Sequence, residues 1–333
     1  MVGIAVGVIL SMVGLGAAAL VGGAIGFAAG AAGGAAAGGL GGAFGAGSQE
    51  RRISGAGPEK VAVIRVTGPI TREAATGFFD AGASSRRIVE LLDRAERDVM
   101  VKAVILDMDT PGGSVVASDE IHQKLQAVRR QGKIVVTLMT ETAASGGYYI
   151  AAGTDRIVAD PTTITGSIGV IVALANLEDL SRKIGIRTIV FKSGAFKDLG
   201  NPNRAVTHAE AAIFQNLVDE AYQRFVGVVA RGRRLDRATV ARLADGRIYT
   251  GQQAARLRLV DSLGHFPEAV QTVKRLTGLE DPLFVEYGGD GVLRALLGSR
   301  GQRLRLWMSG PEPGLERLSP TAAPFSLQYL LTP

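Results

Sequence analysis

The chain has no cysteine, only three histidines and one tryptophan, and no charged side chain in its first 49 residues. Each shortage removes a class of function. Without thiols there is no disulfide, no thiol nucleophile and no Cys-ligated metal. The histidines His122, His208 and His265 are too scattered for a zinc site, so no metal is expected. His122 falls inside a helical pattern, His208 at a helix start suited to capping, and His265 in a late turn. None stands in a strand-end loop, which disfavours a Ser-His-Asp triad. No phosphate-cradling Gly-x-x-x-x-Gly-Lys-Ser/Thr occurs, since Gly132-Lys133 is followed by Ile134. Neither Gly-rich loop matches a dinucleotide fingerprint, so no cofactor is expected. The net charge is +6, but the basic residues form no runs interleaved with aromatics. Nucleic acid is therefore not an expected partner, and an anionic lipid surface suits the charge better.

The uncharged start also has a positive meaning. Val2 to Ala29 is long and apolar enough to cross a hydrocarbon core of ~30 Å, so residues 1–30 are expected to be a single transmembrane anchor. Gly22, Gly26 and Gly30 recur every four residues, which flattens one helix face for helix–helix contact; plain Gly/Ala bias gives the same spacing. Residues 31–58 continue as a Gly/Ala-rich segment and linker, and Ala31 to Gly47 could prolong the span, form a second one or act as a tether. A cleaved signal peptide is the rival reading, but it carries a basic n-region that is missing here. Read by flanking charge, Arg51 and Arg52 favour a cytoplasmic globular part.

Residues 59–287 read as the folded domain and 288–333 as a C-terminal tail. Apolar runs predict strands over Val61 to Val66, Val101 to Asp107, Ile134 to Met139, Arg156 to Ala159, Gly169 to Leu174 and Arg187 to Phe191. Amphipathic helices are expected over Ala83 to Arg97, Ser114 to Arg130, Tyr148 to Ala152 and Leu177 to Ile184. Strands alternating with helices argue for an α/β fold with parallel pairing. After Thr207 the pattern turns helical, over His208 to Arg231, Arg237 to Ala244, Gly251 to Leu257 and Pro267 to Leu276, with one further strand at Pro282 to Tyr287.

Open α/β sheets build their sites at the carboxyl ends of strands. Four loops are expected there: Asp109 to Ser114, the loop holding Ser145, Thr165 to Gly169, and Ser193 to Asp198. Ser145 sits between two alanines and two glycines at a strand-to-helix junction, where the first helical amides can hold a developing oxyanion. The same stretch equally suits a helix packed tightly on a sheet. A serine nucleophile needs a base, and a lysine serves if burial keeps it neutral. Lys197 has mostly apolar neighbours and is the candidate; a surface lysine paired with Asp198 is the other reading. Ser167 is either a group that orients the amine or an ordinary turn serine.

Taken together, these loops resemble the signal peptide peptidase A family of membrane-bound serine peptidases. The resemblance runs from about Val61 to Leu276. It rests on Asp109-Thr-Pro-Gly-Gly113, Ala143-Ala-Ser-Gly-Gly-Tyr-Tyr-Ile-Ala151, Thr165-Gly-Ser-Ile-Gly169 and Ser193-Gly-Ala-Phe-Lys-Asp198, extended by Gly246-Arg-Ile-Tyr-Thr-Gly251. It implies that Ser145 is the nucleophile, Lys197 the general base and Ser167 its positioning group, with backbone amides near Gly113 and Gly146 as the oxyanion hole. It implies a Clp-protease/crotonase-like fold of ββα repeats with a helical C-terminal part. It also implies a serine endopeptidase acting on remnant signal peptides and other short hydrophobic peptides. Short, single-domain members resemble octameric rings that share the dyad between subunits. Their catalytic domain lies outside the cytoplasm, against the charge reading at Arg51 and Arg52. Arg258 departs from the glycine usual before Leu259-Val-Asp261. A crotonase-type acyl-CoA enzyme and a non-catalytic membrane scaffold are the alternatives.

Overall fold

Period-two alternation of apolar residues builds the centre of the molecule. The computed structural model describes residues 50–73, 82–288 and 328–330. Strands β1 (Glu50–Ser54), β2 (Lys60–Thr67), β3 (Ile70–Thr71) and β4 (Ala83–Ser84) precede helix α1 (Ser85–Arg97). Strands β5 (Val101–Thr110) and β6 (Gly112–Ser114) lead into α2 (Val115–Arg130). Then come β7 (Ile134–Ala144), α3 (Gly146–Ala151), β8 (Arg156–Ala159), β9 (Ile164–Gly166) and α4 (Glu178–Lys183). The remainder is α5 (His208–Arg233), α6 (Arg237–Leu243), β10 (Ile248–Thr250), α7 (Gly251–Arg256), β11 (Ser262–Leu263), α8 (Phe266–Thr277), β12 (Leu283–Tyr287) and β13 (Gln328–Leu330).

The large sheet runs in the order β1-β12-β2-β5-β7-β8-β11, with β9 on β7 and β10 on β9. Pairing is parallel from β12 to β11 and antiparallel only for β1 on β12 and β10 on β9. Ala62, Ile64, Val104, Leu106, Val135 and Met139 face α1, α2 and α3, while Val61, Val63, Ile105, Val136 and Leu138 face α8 through Ala269 and Val273. Both faces are covered, as a parallel sheet requires. A small second sheet, β13-β6-β3-β4, stands at one end of the first. A large-sheet strand, a short small-sheet strand and a helix thus recur as β2–β3–α1 and β5–β6–α2.

The helices start where side chains can satisfy their free amides. Ser84 accepts from the Arg87 amide and Ser114 from the Ala117 amide. Thr207 with Glu210, and Thr250 with Gln253, form reciprocal capping boxes.

Several expectations need correction. No strand forms over Gly169 to Leu174 or Arg187 to Phe191. Those residues are largely exposed, and their β-branched apolar character finds no partner strand among the described residues. The part after Thr207 holds two strands that were not expected, β10 and β11, which join the large sheet together with the expected β12. Glu50–Ser54, read as linker for its charge, is an edge strand with every side chain exposed. The expected anchor over 1–30 lies outside the described residues; among those described, no helix is long and apolar enough to cross a membrane.

Close backbone approach fixes where α5 meets the end of α3. A Cβ at Gly232 would lie 1.7 Å from the Ala152 carbonyl oxygen, whereas one at Gly132 (φ +78°) would meet nothing within 4 Å. Gly232→Ala is expected to cost about 3 kcal/mol through overpacking, against about 1 kcal/mol for Gly132→Ala through left-handed strain alone. Equal shifts in denaturant midpoint would contradict this packing.

Candidate active site

The site is built on the last rungs of the β7–β9 ladder. Ala143 pairs with Thr165 and Ala144 with Gly166, so Ser145 and Ser167 leave neighbouring strands side by side. The Ser145 amide donates to the Gly166 carbonyl at 2.8 Å, and the Ser167 amide to the Arg247 carbonyl at 2.8 Å. Both serines have left-handed backbones, φ 52° and 48°, which non-glycine residues adopt only under constraint. Ser145 is 1% exposed and Ser167 8%. A Cβ at Gly166 would lie 2.5 Å from the Tyr249 ring, so only glycine lets β10 close on this corner.

Helix α3 begins immediately after Ser145. The Tyr149 amide donates to the Ser145 carbonyl at 2.9 Å, and the amides of Gly146 and Gly147 precede the first intrahelical bond. Gly147 packs on Thr110, whose γ-methyl a Cβ would approach to 2.7 Å. Thr110 Oγ1 accepts from the Gly112 amide at 3.1 Å. Gly113 pairs with Ile70, so closely that a Cβ would lie 2.1 Å from the Ile70 carbonyl oxygen. The first three predicted loops are therefore joined through backbone and small side chains: Asp109 to Ser114, the Ser145 junction and Thr165 to Gly169. Strand β13 lies antiparallel along β6, with Tyr329 opposite Gly113 and Leu330 opposite Gly112. The edge of β6 thus accepts an extended segment beside α3. The sequence reading missed this pairing and missed Thr110; the Thr-Pro-Gly-Gly run was the signal for the latter.

Lys197 is placed differently. It lies exposed in a turn on an arm formed by residues 171–200, with no strand before it. Its amide donates to the Gly194 carbonyl at 3.1 Å. Asp198 does not pair with it: that carboxylate accepts from Lys192 at 2.7 Å and from Arg204 Nε at 3.1 Å. These bonds, Arg204's foremost, hold the Asp198 carboxyl well below its ordinary range. Arg204 also bonds Glu210 in the first turn of α5, which ties the base of the arm to the domain. The Lys197 amine has no hydrogen-bond or ion-pair partner among the described residues.

The histidines stay apart from this site. His265 Nδ1 lies 3.1 Å from an Asp160 carboxylate oxygen, and His208 follows the Thr207 cap. His122 is buried in α2 with its ring edge-on to Tyr149 at 5.2 Å. Tyr149 in turn donates to Asp119 at 2.6 Å, and Arg224 holds the same carboxylate.

The model of "Peptidase family S49" matches residues 127–280, which include Ser145, Ser167 and Lys197. A protein named "Putative signal peptide peptidase SppA" from Enterococcus faecium is 36% identical over 256 residues, 76% of this chain and 74% of its own. "Putative protease slr0021" of a Synechocystis strain is 42% identical over 228 residues, covering 68% and 78%. "Serine protease SPPA, chloroplastic" of Arabidopsis thaliana is 31% identical over 221 residues, 66% of this chain and 32% of that longer protein. The chain belongs to peptidase family S49. The expected signal peptide peptidase A kinship is thereby established, and in this S49 member the matched region runs from the last turn of α2 to just past α8.

Burial pushes the His122 imidazole down to about 4. Its neutral form is favoured in the folded state, so the unfolded chain binds the extra proton between about pH 4 and 6.5 and stability falls as pH drops through that window. Denaturation of wild type against His122→Gln is expected to diverge by about 2–3 kcal/mol between pH 7 and pH 4. Parallel stability–pH curves would contradict a buried neutral imidazole.

Proposed function

We propose that the protein is a membrane-anchored serine endopeptidase that uses a Ser-Lys dyad on cleaved signal peptides and other short hydrophobic peptides. The observation that carries this reading is the paired ladder end. A buried serine is held at φ 52° where a helix begins, with a second serine on the adjacent rung. Ser145 acts as nucleophile and Lys197, as the neutral amine, takes its hydroxyl proton. Oγ bonds to the scissile carbonyl carbon, and the amides of Gly113 and Gly146 hold the resulting oxyanion. The carbon–nitrogen bond then breaks, and Lys197 returns the proton to the leaving amine. Water deprotonated by Lys197 hydrolyses the acyl-enzyme in the same way. Ser167 orients the amine. The tail strand on β6 supports a substrate held as an extended chain by main-chain hydrogen bonds.

Lys197 is exposed in the single chain. The arm beside it presents Phe191 at 95% exposure and Ile189 at 72%. A second copy seated on that arm would cover both and desolvate the amine against its own Ser145. This favours a dyad shared between neighbours in a homo-oligomeric ring, an octamer by family resemblance, because a heterologous contact that closes makes a ring. The recurring strand–strand–helix units support the Clp-protease/crotonase arrangement. Residues 1–30 would anchor the chain in the cell membrane, with the peptidase domain outside the cytoplasm.

Ser145→Ala and Lys197→Ala are each expected to lower hydrolysis of a hydrophobic fluorogenic peptide by about 10³-fold or more with folding intact. Co-assembling the two inactive variants should restore about a quarter of wild-type activity, the statistical share of sites that pair an intact serine with an intact lysine. Full activity in either variant would refute the dyad, and no recovery on mixing would refute its sharing. Because the base works uncharged, the rate should rise with pH and be lost as pH falls. A rate flat from about pH 6 to 9 would contradict a lysine base.

A further inference from the structure

At the far end of α3 from Ser145, a cleft of about 700 Å³ opens between the last turns of α2, α5 and α7 and the turn before β8. Two of its arginines are neutralised: Arg129 bonds Asp155 at 2.6 Å, and Arg233 bonds Asp261 at 2.9 Å. Four more, Arg156, Arg231, Arg234 and Arg258, line the same cleft without a carboxylate partner among the described residues. The surplus is four positive charges. The carboxyl ends of α2, α3, α5 and α7 each subtract roughly half a charge, which leaves the cleft about two charges positive. Two of the unpaired arginines, Arg234 and Arg258, stand at φ 53° and 62°. Glycine would meet that backbone without strain, so the guanidinium is kept at a conformational cost.

A phosphate group carries about −1.5 to −2 charges at neutral pH, which matches the local excess, and guanidinium forks bind it bidentately.

We propose that this arginine-lined cleft binds a phosphate group, presented either by an anionic lipid headgroup or by a soluble phosphate compound. The cleft shares no residue with the Ser145 site, so the proposal stands or falls independently of the peptidase reading. The test uses the full chain in neutral detergent, with thermal unfolding as the readout. Pyrophosphate at fixed ionic strength, against chloride, probes the soluble source. Phosphatidylglycerol added to the micelles, against phosphatidylcholine, probes the headgroup. At least one is expected to raise the unfolding midpoint by about 3–5 °C. The double variant Arg234→Gly/Arg258→Gly relieves two left-handed backbones, so it should be as stable as wild type without ligand and lose the shift. No shift from either probe in wild type, or a shift that persists in the double variant, would overturn the proposal.

Discussion

One backbone hydrogen bond, from the Ser145 amide to the Gly166 carbonyl, organises the candidate site. It extends the β7–β9 ladder one residue past the strand end and turns Ser145 into a left-handed conformation. The next residue can then start α3. Such a backbone costs of order 1–2 kcal/mol at a non-glycine residue, so its surroundings must over-determine it. They do so with contacts that admit no side chain: Gly166 under Tyr249, Gly147 on Thr110 and Gly113 on Ile70. A substitution at any of these would act on the serine without touching it.

The two halves of the proposed dyad rest on different physics. Ser145 belongs to a doubly covered parallel sheet, where burial on both faces fixes position. Lys197 belongs to an arm that exposes Ile189 and Phe191 and carries the Lys192–Asp198–Arg204–Glu210 charge chain at its base. That chain consumes the one carboxylate adjacent to Lys197 in sequence. The Lys197 amine is left without a charge partner among the described residues.

Much of the sheet was legible because its strands are apolar on both faces. Val101 to Asp107 and Ile134 to Met139 read correctly by composition alone, and Ile88, Leu91, Leu92 and Ala95 marked the buried face of α1. The Ser145 and Ser167 loops were legible from their small residues at strand ends. What failed did so for identifiable reasons. Ile189-Val190-Phe191 has the composition of a buried strand, yet it lies exposed with no strand beside it among the described residues, because composition does not report what a segment packs against. Gly112–Ser114, Ile164–Gly166 and Ile248–Thr250 pair through backbone alone and leave no apolar period to read. Glu50–Ser54 is an edge strand whose charges resemble those of a linker, as charged edges do.

The account's central claim is that Ser145 is an activated nucleophile. The most direct measurement is peptide mapping of the full-length protein after treatment with a fluorophosphonate. A single covalent adduct on Ser145, formed by wild type and lost in Lys197→Ala, is the predicted result. An unmodified Ser145 in protein that still cleaves peptide, or an adduct on a different serine, would contradict it.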